Sequence, residues 1–180
     1  FKVVRNMRQM ILNKQIGFEL EHELINKLRK IEILFIAGLF HDLGKGKGGN
    51  HSKIGAKTSY KFAKRIGTHH AISVSSCTAG LHLSLFVKNI GPGDRVAVPA
   101  MTHVSTAHVI ELQGAIPVFI DVDKNTGNMD TDILYKESKN GPLKAIMPVH
   151  YLGLACEMDT IMDIADHSNA LVIEDCALSL

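Results

Sequence analysis

Three short segments carry the side chains best suited to chemistry. The first, Val74-Ser75-Ser76-Cys77-Thr78-Ala79-Gly80-Leu81-His82, passes from apolar residues through small hydroxyl residues straight into a helical pattern. A helix starting there aims free backbone N–H groups and the positive end of its dipole at one spot, which suits a phosphate. The hydroxyls of Ser76 and Thr78 can add hydrogen bonds, although a plain helix cap is the commoner use of such a serine. The second segment, Leu171-Val172-Ile173-Glu174-Asp175-Cys176-Ala177, ends an apolar run on carboxylates. Open α/β sheets bind ligands at the carboxyl ends of their strands, so Asp175 is a ligand candidate beside the plainer reading of a solvated strand-end acid. The third, Val98-Pro99-Ala100-Met101-Thr102-His103, sets a flat imidazole after a strand. It can stack on a planar ring or simply pack. A fourth candidate lies upstream, where His41 and Asp42 close an apolar helix. Imidazole and carboxylate suit a divalent metal, but two ligands do not make a site.

These residues need elements to position them. Over residues 68–180 short apolar strands are expected at 71–74, 95–98, 117–120, 145–149 and 170–173. Helices are expected between them at 78–87, 104–112, 131–137 and 158–166. Strand-then-helix alternation predicts an α/β fold with a mostly parallel sheet covered by helices. Residues 91–94 (Gly-Pro-Gly-Asp) and 124–128 (Lys-Asn-Thr-Gly-Asn) are turns by residue chemistry. The first 66 residues contain no proline and repeat apolar residues at helical spacing, as in Leu20, Leu24 and Leu28, with one glycine-rich loop at 44–49. They predict an all-α unit.

Composition divides at the same place. The net charge of +2 is the balance of +9 over residues 1–67 and −7 over residues 68–180. All five prolines and all three cysteines (Cys77, Cys156, Cys176) fall in the second part. Two domains, 1–67 and 68–180, are the expectation. The lysines of the basic part are spread around helical segments rather than gathered with aromatics, which favours a solvated surface over nucleic-acid binding. Three cysteines without metal-type spacing suggest a reducing, cytoplasmic setting. The longest apolar run, at 31–40, includes Glu32 and is too short to span a bilayer. Phe1 opens the chain without a signal peptide, which reads as a cut rather than a natural start.

In the order Ala71-Ile-Ser-Val-Ser-Ser-Cys-Thr-Ala-Gly-Leu-His, Gly91-Pro-Gly-Asp-Arg-Val-Ala-Val-Pro-Ala-Met-Thr-His, Gly114-Ala-Ile-Pro-Val-Phe-Ile-Asp-Val-Asp, Pro148-Val-His-Tyr-Leu-Gly and Val172-Ile-Glu-Asp-Cys-Ala, the chain from about residue 62 to 180 resembles the DegT/DnrJ aminotransferases. That resemblance implies the aspartate-aminotransferase (type I) large-domain fold and pyridoxal phosphate as cofactor. It also implies amino transfer, usually from glutamate, onto a nucleotide-linked keto-sugar by a homodimer. Ser76, Cys77, Thr78 and Ala79 would sit at the phosphate, His103 would stack on the ring, Asp175 would pair with the pyridine nitrogen, and His150 would lie on a loop close by. Cys77 replaces a usual glycine and Leu178 a usual Gln or His. The family's Schiff-base lysine lies well downstream of the aspartate. Lys88, Lys124, Lys136, Lys139 and Lys144 all precede Asp175 and match no such position, so a truncated, inactive chain is expected.

Residues 36–46 (Ile-Ala-Gly-Leu-Phe-His-Asp-Leu-Gly-Lys-Gly) followed by Asn50-His51-Ser52-Lys53-Ile54-Gly55-Ala56 resemble the HD phosphohydrolase domain of the bifunctional uridylyltransferase/uridylyl-removing enzymes. That resemblance implies His41 and Asp42 as metal ligands, with Lys45 or His51 near a phosphate. Metal-dependent phosphohydrolysis is thus one alternative function, and a non-catalytic chimeric fragment is another. The seam between the two likenesses falls near 62–67.

Overall fold

The computed structural model describes residues 74–179, together with positions 60, 61, 64, 65 and 72. The expected helical part up to residue 59, with its His41 and Asp42, lies outside the described residues.

Between residues 77 and 172, four helices and four strands alternate: α1 (Cys77–Val87), β1 (Arg95–Pro99), α2 (Val104–Leu112), β2 (Ile116–Ile120), α3 (Thr131–Lys139), β3 (Ala145–Ile146), α4 (Met158–Ser168) and β4 (Leu171–Val172). A 3₁₀ turn at Tyr151–Gly153 lies between β3 and α4. The helices follow the sequence pattern within two residues at each end. Three of them stop in the same way. After α1, Ile90 N–H bonds to Leu85 O and Asn89 N–H to Phe86 O. After α2, Ala115 and Gly114 bond to Ile110 and Glu111, and after α4, Ala170 and Asn169 bond to Ala165 and Asp166. This is the Schellman arrangement, which needs a left-handed residue at the hinge. Asn89 (φ 54°), Gly114 (φ 74°) and Asn169 (φ 52°) supply it, and each stop turns the chain toward its next strand. α3 starts on Asp130, whose carboxylate accepts from the amides of Asp132 and Ile133.

The strands form one parallel sheet in the order β2-β1-β3-β4. Side chains alternate across it. Val96, Val98, Ala145 and Met147 face a core with Leu81, Leu85, Val109 and Ile110 from α1 and α2. Ala97 and Ile146 face a second core with Leu134, Ile161 and Ile164 from α3 and α4. Helices therefore cover both faces, which is why β1 is buried nearly throughout. Truncating a fully enclosed residue such as Leu85 to alanine costs about 2–5 kcal/mol in cores of this kind.

β3 and β4 are shorter than the five- and four-residue strands expected. Pro148 has no N–H to give, so the ladder is interrupted there. It resumes as a parallel bridge between Val149 and Asp175. That bridge keeps the register of Ala145 with Leu171 and Ile146 with Val172, so Asp175 sits at the true end of the β4 line. Strand order adds the other positioning fact. The chain leaves β1 toward β2 on one side and later returns to β3 on the other, which makes a topological switch point between β1 and β3. Crevices form at the carboxyl ends of strands at such points.

Candidate functional site

Two of the three chemistry-bearing segments meet at one carboxylate, together with Thr106, three residues beyond the third segment. Asp175 is buried, with 3% of its surface exposed. Its backbone is pinned by Asp175 N–H to Pro148 O (2.8 Å) and His150 N–H to Asp175 O (3.2 Å). Oδ2 accepts the Thr106 hydroxyl at 2.8 Å. Oδ1 accepts the Cys77 thiol at 3.4 Å and the Ala177 amide at 3.0 Å. The solvated-acid alternative is therefore excluded: this carboxylate belongs to the packed end of the sheet. Thr106 comes from the first turn of α2 and Cys77 from the first residue of α1, so both helix starts converge on the end of β4.

At the start of α1, Ser76 is the cap. Its Oγ accepts from Ala79 N–H at 3.1 Å and its carbonyl from Gly80 N–H. The amides of Cys77 and Thr78, first and second in the helix, have no acceptor within it, while that of Ala79 is committed to Ser76. Burial raises the Cys77 thiol to about 12, reinforced by the charge and hydrogen bond of Asp175. A neutral S–H is what donates to Asp175.

His103 caps α2 and stands exposed. Its Nδ1 lies 2.8 Å from Ser105 Oγ and accepts from Ser105 N–H at 3.3 Å. The acceptor role places the ring proton on Nε2 and fixes the ring relative to the helix start.

His150 is buried and its nitrogens are both engaged within the chain. Nδ1 accepts the Cys156 amide at 3.1 Å, and Nε2 lies 2.9 Å from Glu174 Oε2. Hydrogen bonds with the side chains of Cys156, Cys176 and Glu174 raise its pKa above the ordinary imidazole value. Against that, a second proton on Nδ1 would evict the Cys156 amide, so the geometry selects the ring with its proton on Nε2, given to Glu174. The ring is a brace between the β4 end and the loop after β3. His150, Glu174 and Cys176 hold potential metal-binding atoms within 4.8 Å of one another. With Nδ1 accepting, however, Nε2 carries the proton and has no lone pair for a metal.

Asn128 closes the same loop from the other side. Its amide nitrogen donates to Leu154 O (3.1 Å) and Ala155 O (3.0 Å), and its Oδ1 accepts Tyr151 N–H at 2.9 Å. Gly127 (φ 73°) has no room for a side chain, since a Cβ there would lie 2.6 Å from Tyr151 and 2.8 Å from Met101. Sequence reasoning missed Thr106, Asn128 and the pairing of Glu174. Thr106 had one usable signal, its place three residues beyond the His103 cap on the same helix face. Asn128 had none, because its three partners lie 23 to 27 residues away.

Among the described residues no helix is long and apolar enough to cross a membrane.

Comparison with known proteins adds the following. The model of the DegT/DnrJ/EryC1/StrS aminotransferase family matches residues 50–180, so the match starts upstream of the composition boundary. The chain is 44% identical over 126 residues to the UDP-4-amino-4-deoxy-L-arabinose–oxoglutarate aminotransferase of Shewanella sediminis, covering 69% of this chain and 32% of that protein. It is 45% identical over 117 residues to GDP-perosamine synthase of Caulobacter vibrioides, covering 64% of this chain and 31% of that one. Among solved structures it resembles an aminotransferase from Psychrobacter cryohalolentis with a TM-score of 0.65 and 36% identity, over 69% of this chain and 31% of that one. The chain thus spans about a third of the length of the curated relatives it matches.

Proposed function

The chain belongs to the DegT/DnrJ/EryC1/StrS aminotransferase family, and from that premise we propose that residues 74–179 form the pyridoxal phosphate cradle for amino transfer to a nucleotide-linked keto-sugar. The two nucleotide-sugar relatives support the substrate class, and the cofactor is that of the family. When bound, the cofactor supplies a protonated pyridine ring that draws electrons from the substrate carbon bearing the nitrogen.

The chain's own residues divide the work. Asp175 accepts the ring N–H and neutralises its charge from a buried, hydrogen-bonded position. The Cys77 and Thr78 amides, with the hydroxyls of Ser76 and Thr78, hold the phosphate at the positive end of α1. Ser76 keeps its proton free for this while its lone pair caps Ala79, and the Ala79 amide joins only by leaving that cap. His103 offers an exposed flat ring held by its own cap bonds, suited to stacking. His150, engaged at both nitrogens, keeps the Glu174–Asp175 line against the loop after β3 and excludes water from it.

The observation that carries this reading is the meeting of Cys77 and Thr106, from two helix starts, on Asp175. The residues fit the group: a buried carboxylate at a sheet's carboxyl edge, beside helix-start amides, at a switch point. Titration of the chain with pyridoxal phosphate, followed by absorbance, tests it. Saturable binding is expected, at least roughly tenfold weaker for pyridoxal without its phosphate, since charge-assisted hydrogen bonds are lost. Equal binding of the two compounds, or none, would overturn the proposal.

A further inference from the structure

The hydrogen-bond count at Asp175 goes further than its pairing with a ring nitrogen. A carboxylate offers roughly four acceptor directions, two on each oxygen. On Oδ1 both are taken, by the Ala177 amide and the Cys77 thiol. On Oδ2 one is taken, by the Thr106 hydroxyl at 2.8 Å. A single direction remains, and it is on Oδ2. Thr106 Oγ1 also lies 3.0 Å from Thr102 Oγ1. A hydroxyl has one proton, and that of Thr106 goes to Asp175. Thr102 must therefore donate to Thr106. The two threonines form a one-way chain from Thr102 to Thr106 to Asp175, in which each donation strengthens the next.

We propose that Thr102 and Thr106 are positioning residues, whose directed hydroxyl chain fixes the Asp175 carboxylate so that the one free acceptor direction of Oδ2 meets the cofactor's ring N–H. The inference rests on the reading of Asp175 as the ring-nitrogen partner. Neither threonine touches the cofactor in this scheme. Thr106 acts through the oxygen it shares with the ring, and Thr102 acts through Thr106. Asp175 is buried and Thr106 wholly enclosed, so the hydrogen bond between them is made within the packed fold.

The test compares pyridoxal phosphate with its 1-deaza analogue, which has a carbon in place of the ring nitrogen and no N–H to give. The full chain is titrated with each compound, as are Thr106→Val, Thr106→Ser and Thr102→Val. The unsubstituted chain should prefer pyridoxal phosphate. Thr106→Val should lose roughly tenfold in affinity for it, the size of one hydrogen bond to a charged group, and leave the deaza compound unchanged. Thr106→Ser should restore the preference. Thr102→Val should lose a smaller part, roughly threefold. If Thr106→Val weakens both compounds alike, or if the preference survives in Thr106→Val and Thr102→Val, the hydroxyl chain is not a positioning device and the proposal falls while Asp175 keeps its role. If Thr106→Val does not fold, Thr102→Val decides. Equal binding of both compounds by the unsubstituted chain would remove Asp175 as the ring partner, and the proposal with it.

Discussion

Replacing Asp175 by asparagine separates the carboxylate's structural work from its chemical work. In the folded chain the oxygen of the new carboxamide can take the Oδ1 place, keeping the Ala177 amide at 3.0 Å and the Cys77 thiol at 3.4 Å. Its NH₂ then faces Thr106 Oγ1, 2.8 Å from the old Oδ2. That hydroxyl can turn to accept, giving its own proton to Thr102 at 3.0 Å. The folded state thus keeps the number of its hydrogen bonds and loses only the charge assistance of those made to the carboxylate, roughly 1 kcal/mol. Cofactor binding fares worse. The one direction left for a ring N–H now presents a donor, so donor meets donor. A hydrogen bond to a charged group of about 1.5–3 kcal/mol is lost, which is roughly a 10- to 150-fold weakening. Titration with pyridoxal phosphate by absorbance, beside urea unfolding of the same two proteins, reads both effects. An affinity within about twofold of the parent's, against that 10- to 150-fold expectation, would refute the assignment. A stability loss of several kcal/mol, beyond the roughly 1 kcal/mol worked above, would show the carboxylate to be mainly a fold determinant.

Three further outcomes are expected. Asn128→Ala removes three side-chain bonds that hold the loop after β3; at about 1 kcal/mol each the urea midpoint should fall by the equivalent of roughly 3 kcal/mol, and an unchanged midpoint would show that the loop contributes no stability. The Cys77 thiol, raised to about 12 by burial and by Asp175, should resist iodoacetamide at pH 8–9 in the folded chain and react readily in urea. Because the unfolded thiol gives up its proton first, stability should decline as pH rises above 9, and Asp175→Asn should speed alkylation by removing the charge but not the burial. The exposed Asp123 carboxyl is held below its ordinary value by the amides of Asn125 and Thr126. Its contribution to stability is present above the ordinary carboxylate range and is lost as pH falls through the folded value; urea unfolding of Asp123→Ala should therefore show a flatter acid limb than the parent, and identical limbs would contradict the assignment.

The alternation of β-branched strands with helices and the turn at 91–94 are local matters. Sequence reports them because they follow from each residue's own backbone preferences. The parallel character of the sheet followed from the same alternation. The strand order did not, because nothing local says that β3 returns to the far side of β1. That order creates the switch point beside the proposed site. The shortened β3 and β4 were legible in principle, since Pro148 sits inside the expected strand and cannot donate.

For the site, the sequence determined which groups were available: a cap serine, helix-start amides, an imidazole after β1 and a strand-end carboxylate. Each had an ordinary reading on its own, and Ser76 does cap its helix as that reading said. What only the tertiary structure decided was how these groups share partners. Cys77 and Thr106 stand 98 and 69 residues from Asp175, beyond the reach of any spacing rule, and their meeting turns a strand-end acid into a buried acceptor with one direction left open. The same holds for His150, whose ring looked free for a ligand until Glu174 and the Cys156 amide were found on its two nitrogens. Hydrogen-bond capacity is finite and is allotted in space, so a sequence can name the donors and acceptors while only the packed fold settles which of them remain to be used.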